Sequence, residues 1–153
     1  MTFGEAIKYC FGHLFDFKGR ARRSEFWWFY LFMNLVVSVV VLIIMAVMFA
    51  ALIPLIAESS TGSPDESVIA ASLGITGLMY VLIFVVAIVS SVLMLGVNAR
   101  RLHDMGQSAH WLWLYLVNLS IVPIIMAIME GQPHANQWGP DPKAAQNEAP
   151  ALP

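Results

Sequence analysis

Three stretches of the chain carry no charged residue: Phe26 to Ala57, Ser67 to Ala99 and Met105 to Met129, of 32, 33 and 25 residues. A bilayer core ~30 Å thick needs ~20 apolar residues in a helix, so each stretch is long enough to span it. The spans are expected at about 26–53, 78–99 and 111–129. Ahead of them, Phe3, Ile7, Phe11 and Leu14 recur at helical spacing with Glu5, Lys8 and His13 elsewhere, the pattern of an amphipathic helix lying in the membrane interface. Beyond Gly131 no apolar period remains, and 131–153 reads as an irregular tail rich in Gly, Pro and Asn. The expected fold is all-α: a polytopic membrane helical bundle, 1–130, of three transmembrane spans plus an N-terminal interfacial amphipathic helix.

Local signals place the ends. Ser24 is suited to cap the first span, with Glu25 favourable at the positive end of its dipole. Pro54 and the polar ESSTGS are expected to end it. Ser63, Pro64 and Glu66 form a capping-box pattern for the next helix. Carried through to Met105, that helix would be roughly 60 Å long at ~1.5 Å per residue, so a break near Gly74–Gly77 is expected, with strong tilt as the alternative. Pro123 should kink the third span.

Composition removes the soluble alternative. Hydrophobic residues make up 59% of the chain and charged ones 12%, against ~45–50% and ~25% in soluble domains, too few charges to solvate so apolar a surface. The net charge of -2 exerts no pull toward nucleic acid, and Cys10, the lone cysteine, rules out an internal disulfide. The apolar run from Phe26 is twice the length of a signal-peptide core, so an uncleaved anchor is expected. Lys8, Lys18, Arg20, Arg22 and Arg23 precede the first span, no Lys or Arg lies between the first two, and Arg100 and Arg101 follow the second. The positive-inside rule then puts the N-terminus in the cytoplasm. The aromatic runs at Phe26–Tyr30 and Trp111–Tyr115 sit at the same face, as headgroup-level anchors do. Three spans would leave the tail outside.

The most chemically loaded stretch is RRLHDMG, Arg100 to Gly106. On a helix Arg100 shares a face with His103 and Asp104, so an Arg100–Asp104 ion pair is expected. With Arg20, Arg22, Arg23, Arg101 and His103 it could hold an anionic headgroup. The bland alternative is that these cations complete a helix C-terminus and set topology. Adjacent His103 and Asp104 diverge on a helix and make a poor acid–base dyad, and no metal-ligand spacing is present. Asn34, Ser38, Ser90, Ser91 and Asn118 all fall ~10–15 Å from the cytoplasmic edge. They form either interhelical hydrogen-bond glue or a polar intramembrane layer. No phosphate loop, dinucleotide fingerprint or nucleophile elbow is visible.

Taken together, FKGRARRSEFWWFYLF, RRLHDMGQSAHW and GQPHANQWGPDP resemble the three ordered signatures of a bacterial inner-membrane family, domain of unknown function 805. The resemblance implies a small multi-pass protein of the bacterial cytoplasmic membrane and supplies no activity and no site residue. It also raises a conflict: three spans put the GPDP motif on the face opposite the other two. The expected function is non-enzymatic and needs no cofactor, metal or nucleic acid. It consists of binding anionic membrane lipid or a partner protein, or assembling as a homo-oligomer, at the basic-aromatic face. A small transporter using the polar layer, and a lipid-modifying enzyme using Arg100, His103 and Asp104, are the alternatives.

Overall fold

The computed structural model describes residues 1–115 and 121–144. In chain order it contains α1 (Phe3–Gly12), α2 (Arg23–Thr61), α3 (Glu66–Asp104), a 3-10 helix (Ala109–Tyr115) and α4 (Ile121–Ile128). The described residues hold no strand; one isolated bridge pairs Asn136 with Gly139. Both α2 and α3 are long and apolar enough to cross a membrane. Their most apolar windows are 6% and 0% buried within the chain, the reverse of a soluble core helix.

The chain divides into two compact units, Met33–Ser90 and the combination of Met1–Phe32 with Ser91–Pro153. The first is a helical hairpin built from the distal part of α2 and the proximal part of α3. Here α2 runs through Pro54 to Thr61 instead of stopping at Ile53. The serines that were expected to end it bond back onto the helix: Ser59 Oγ donates to the Ile56 carbonyl at 2.8 Å and Ser60 Oγ to that of Ala57 at 2.6 Å. At the turn, the Glu58 carboxylate accepts from the Asp65 N–H at 3.1 Å. The start of α3 is capped by Asp65, whose carbonyl accepts from Val68 and Ile69, two residues later than the expected Ser63. No break occurs at Gly74–Gly77; α3 is one helix of 39 residues. A break there would strand backbone N–H and C=O groups in an apolar stretch with no water to receive them. Ser72 Oγ donates across the hairpin to the Ala51 carbonyl at 3.1 Å.

The second unit gathers α1, the first turns of α2, the last turns of α3, the 3-10 helix, α4 and the tail. In α1 the Glu5 carboxylate accepts the Thr2 N–H at 2.8 Å, and Ala6 and Cys10, one turn apart, form the buried stripe. Phe3 and Phe11 meet the start of α2 edge-on, Phe3 against Trp28 and Phe11 against Phe29, each with centroids 5.5 Å apart. Burial and the neighbouring Glu25 carboxylate push the Cys10 thiol up to about 12, so it is a packing residue and not a reactive thiolate. Helix α2 begins at Arg23, one residue before the expected Ser24 cap, because the Arg22 carbonyl accepts the Phe26 N–H at 3.0 Å. Just upstream, the Ala21 N–H is fixed on the Arg100 carbonyl at 3.0 Å.

Along the segment expected as a third span, the described residues form the 3-10 helix and the eight-residue α4. Pro123 is the third described residue of α4, directly after residues 116–120, which lie outside the described residues. Asn118 lies outside the described residues.

Candidate functional site: an arginine cluster closed by the tail

The second unit is organised around two ion pairs reaching across the sequence. Arg20 Nε lies 2.9 Å from Asp104 Oδ1, with both side chains almost fully buried. Arg101 Nη1 donates to the other oxygen, Oδ2, so one carboxylate is shared between two guanidiniums. The second pair is Arg100 Nη2 with Glu25 Oε1 at 3.2 Å, again buried. Arg100 therefore does not pair with Asp104 as helical spacing suggests; its partner comes from α2. Its guanidinium also lies over the Tyr9 ring, 5.4 Å from the centroid, a cation–π contact. Although the charges of Arg100 and Glu25 are close, Arg100 Nε and Nη2 make no hydrogen bond. The contact is thus a charge pairing without the bidentate geometry that carboxylates usually take.

Buried Arg20, Arg100 and Arg101 face buried Glu25 and Asp104, three positive charges against two negative. Backbone carbonyls solvate the excess. Arg101 Nε donates to the Ala127 carbonyl at 3.2 Å, Nη1 to that of Ala21 at 3.4 Å, and Nη2 to that of Met129. The first and last lie at the C-terminal end of α4, where unsatisfied carbonyls carry the negative end of the dipole. Arg20 donates to the carbonyls of His134 at 2.7 Å, Gly139 at 3.4 Å and Gln132. Arg22 donates to the Pro142 carbonyl.

The tail is irregular, as its composition predicts, but it is tied down along its described length. The Gln132 N–H donates to the Asp104 carbonyl at 2.9 Å, and Asn136 Nδ2 to the His103 carbonyl at 2.9 Å. The Trp138 indole stacks on the His103 imidazole, with centroids 4.5 Å apart and planes 7° from parallel. Gly131 passes so close that a Cβ there would lie 2.0 Å from Asp104 Oδ2. Gly106 turns the chain out of α3 at φ 76°, and a Cβ on it would meet the Gln132 amide at 2.3 Å.

Of the six residues expected at an anion site, Arg20, Arg22, Arg100, Arg101 and His103 are gathered in this cluster, engaged by protein groups. Arg23 stays at the surface, 40% exposed, with Glu130 at 3.6 Å. Asn34, Ser38 and Ser91 lie on exposed faces of their helices, and half-buried Ser90 bonds back to the Ala87 carbonyl at 3.0 Å. Sequence reasoning missed Glu25 as the partner of Arg100, and Gln132, Asn136 and Trp138 as neighbours of Asp104 and His103. Only the presence of the acids Glu25 and Asp104 inside the basic motifs pointed to paired charges.

The class defined by these features is a helical membrane protein with a buried cluster of paired charges. Residues 14–140 match the family described as protein of unknown function (DUF805), and the chain belongs to that family. It is also similar to "Inner membrane protein YhaH" of Escherichia coli, in strain K12 and in O157:H7. Each is 30% identical over 129 residues, covering 83% of this chain and 87% of the relative. No solved structure matches the chain.

Proposed function

We propose that the protein resides in the bacterial cytoplasmic membrane, crosses it twice through α2 and α3, and holds both termini on the cytoplasmic face. The observation that carries this reading is the hydrogen bonding of Arg20 and Arg22 to tail carbonyls from 132 to 142. A third crossing would carry the tail some 30 Å away from those arginines. The segment after α3 also leaves from and returns to one place. Gln107 donates to the Leu102 carbonyl at 2.9 Å, while the far end of α4 is bonded to Arg101. Both ends of the segment are thus fastened beside the end of α3, which supports a re-entrant element in place of the third span that length and apolarity suggest. The name of the Escherichia coli relative, an inner membrane protein, agrees with the location.

Functionally this is a non-enzymatic binding protein whose cytoplasmic basic-aromatic face engages anionic membrane lipid or a membrane protein partner. Asp104 is committed to two arginines and His103 to Trp138, which leaves the Arg100–His103–Asp104 set poorly placed for acid–base work. Fusing a cytoplasm-dependent fluorescent reporter to each terminus in turn tests the topology. Fluorescence from both fusions is expected. A dark C-terminal fusion, with an export-dependent phosphatase active at that position, would restore three crossings.

A further inference from the structure

One cavity on the second unit, among the described residues, is lined by residues away from the arginine cluster. It is an open depression of 670 Å³ formed by Phe11–Lys18, the end of α1 and the loop that follows. That volume suits a small ligand or part of a larger one. Its aromatics are poorly covered: Phe11, Phe15 and Phe17 are 45%, 68% and 44% exposed. Three phenylalanines clustered at a surface mark a contact site. The loop is nonetheless built. Asp16, exposed on the same lining, accepts the Lys18 N–H at 2.9 Å, and the Leu14 carbonyl packs directly against Gly96 of α3. His13 is held by Tyr9, its Nδ1 2.8 Å from the Tyr9 carbonyl and its ring stacked at 4.2 Å.

Charge selects the occupant. Up to Arg23 the chain carries Lys8, Lys18, Arg20, Arg22 and Arg23 against Glu5 and Asp16 and against Asp104 and Glu130, which pair with Arg20 and Arg23, a net of 5 − 4 = +1. Lys8 and Lys18 are exposed, and neither forms an ion pair among the described residues. Phe11 also reaches Phe29 and Phe32 at the start of the apolar run of α2, with centroids 5.5 and 6.0 Å away. The depression therefore adjoins the level at which lipid headgroups give way to acyl chains.

We infer that this depression seats an anionic phospholipid, with Phe11, Phe15 and Phe17 against the upper acyl chain and Lys18 beside the phosphate. The inference rests on the membrane location proposed above and moves the lipid contact from the buried arginines to the α1 loop. The full chain carrying p-benzoylphenylalanine in place of Phe15, or of exposed Val39 on α2, is reconstituted in phosphatidylethanolamine vesicles with about one-fifth phosphatidylglycerol. After irradiation, adducts are identified by mass spectrometry. At position 15, phosphatidylglycerol adducts should exceed their mole fraction about fivefold, the effect of one lysine near an anionic headgroup. Lys18→Gln should return them to the mole fraction, and adducts at position 39 should follow bulk composition. Adducts at 15 that are unselective, absent, or formed with a second copy of the chain overturn the inference while the membrane reading stands. Absence of lipid adducts at 39 overturns the membrane reading itself.

Discussion

Asp104→Ala is expected to destabilise the solubilised protein by about 3–5 kcal/mol, the usual result of removing one partner from a buried ion pair. Two guanidiniums depend on this carboxylate, Arg20 and Arg101, with side chains only 2% and 1% exposed. Without it, three buried cations would face Glu25 alone. Asp104→Asn keeps the shape and removes the charge, so it should lose nearly as much; a mild asparagine variant would mean that packing, not charge, matters at this position. Because both cations share one acid, Asp104→Ala combined with Arg20→Ala should lose less than the sum of the two single changes. Chemical unfolding in detergent measures all of these, and additive losses would show that the pair is not coupled.

Gly96→Ala should also destabilise, by about 1–3 kcal/mol, the range for overpacking a tight contact. The sign is the informative part, since alanine in place of a mid-helix glycine ordinarily stabilises by ~0.5–1 kcal/mol. At Gly96 a Cβ would lie 2.1 Å from the Leu14 carbonyl oxygen and 3.0 Å from its carbon. Those atoms are backbone and cannot swing aside, so α3 would be pushed off the loop after α1. Gly74 and Gly77, on the same helix, have nothing within 4 Å of an added Cβ. Gly74→Ala and Gly77→Ala should therefore be neutral or slightly stabilising. Equal effects at all three glycines would contradict the close approach.

Much of the architecture was legible in the sequence. The two long apolar helices, the basic residues at one end of them and the irregular tail all follow from charge spacing and composition. Helix ends were less legible, because the signals at Pro54 and Ser59–Ser60 are ambiguous: serine hydroxyls that would solvate a turn also bond back to a helix's own carbonyls. The long-range partners of the arginines were not legible. Helical spacing ranks only neighbours on one element and so favoured Arg100 with Asp104, whereas Asp104 is shared by Arg101 and by Arg20, 84 residues away. Length and apolarity qualified the segment after Ser108 as a span, yet they say nothing about where its ends are fastened. Counting spans put the GPDP motif opposite the other two, whereas hydrogen bonds among the described residues bring all three motifs to one cluster.

The central claim is that the tail returns to the face that bears the first two motifs. Cysteines introduced as His103→Cys and Trp138→Cys, in a Cys10→Ala background, test it with a short bis-maleimide applied to membranes that contain the full chain. The stacked rings at these positions have centroids 4.5 Å apart. An efficient cross-link within one chain, absent from either single-cysteine variant, is the predicted result. If both cysteines react with mono-maleimide but are never joined within a chain, the tail does not close the cluster and the account is contradicted.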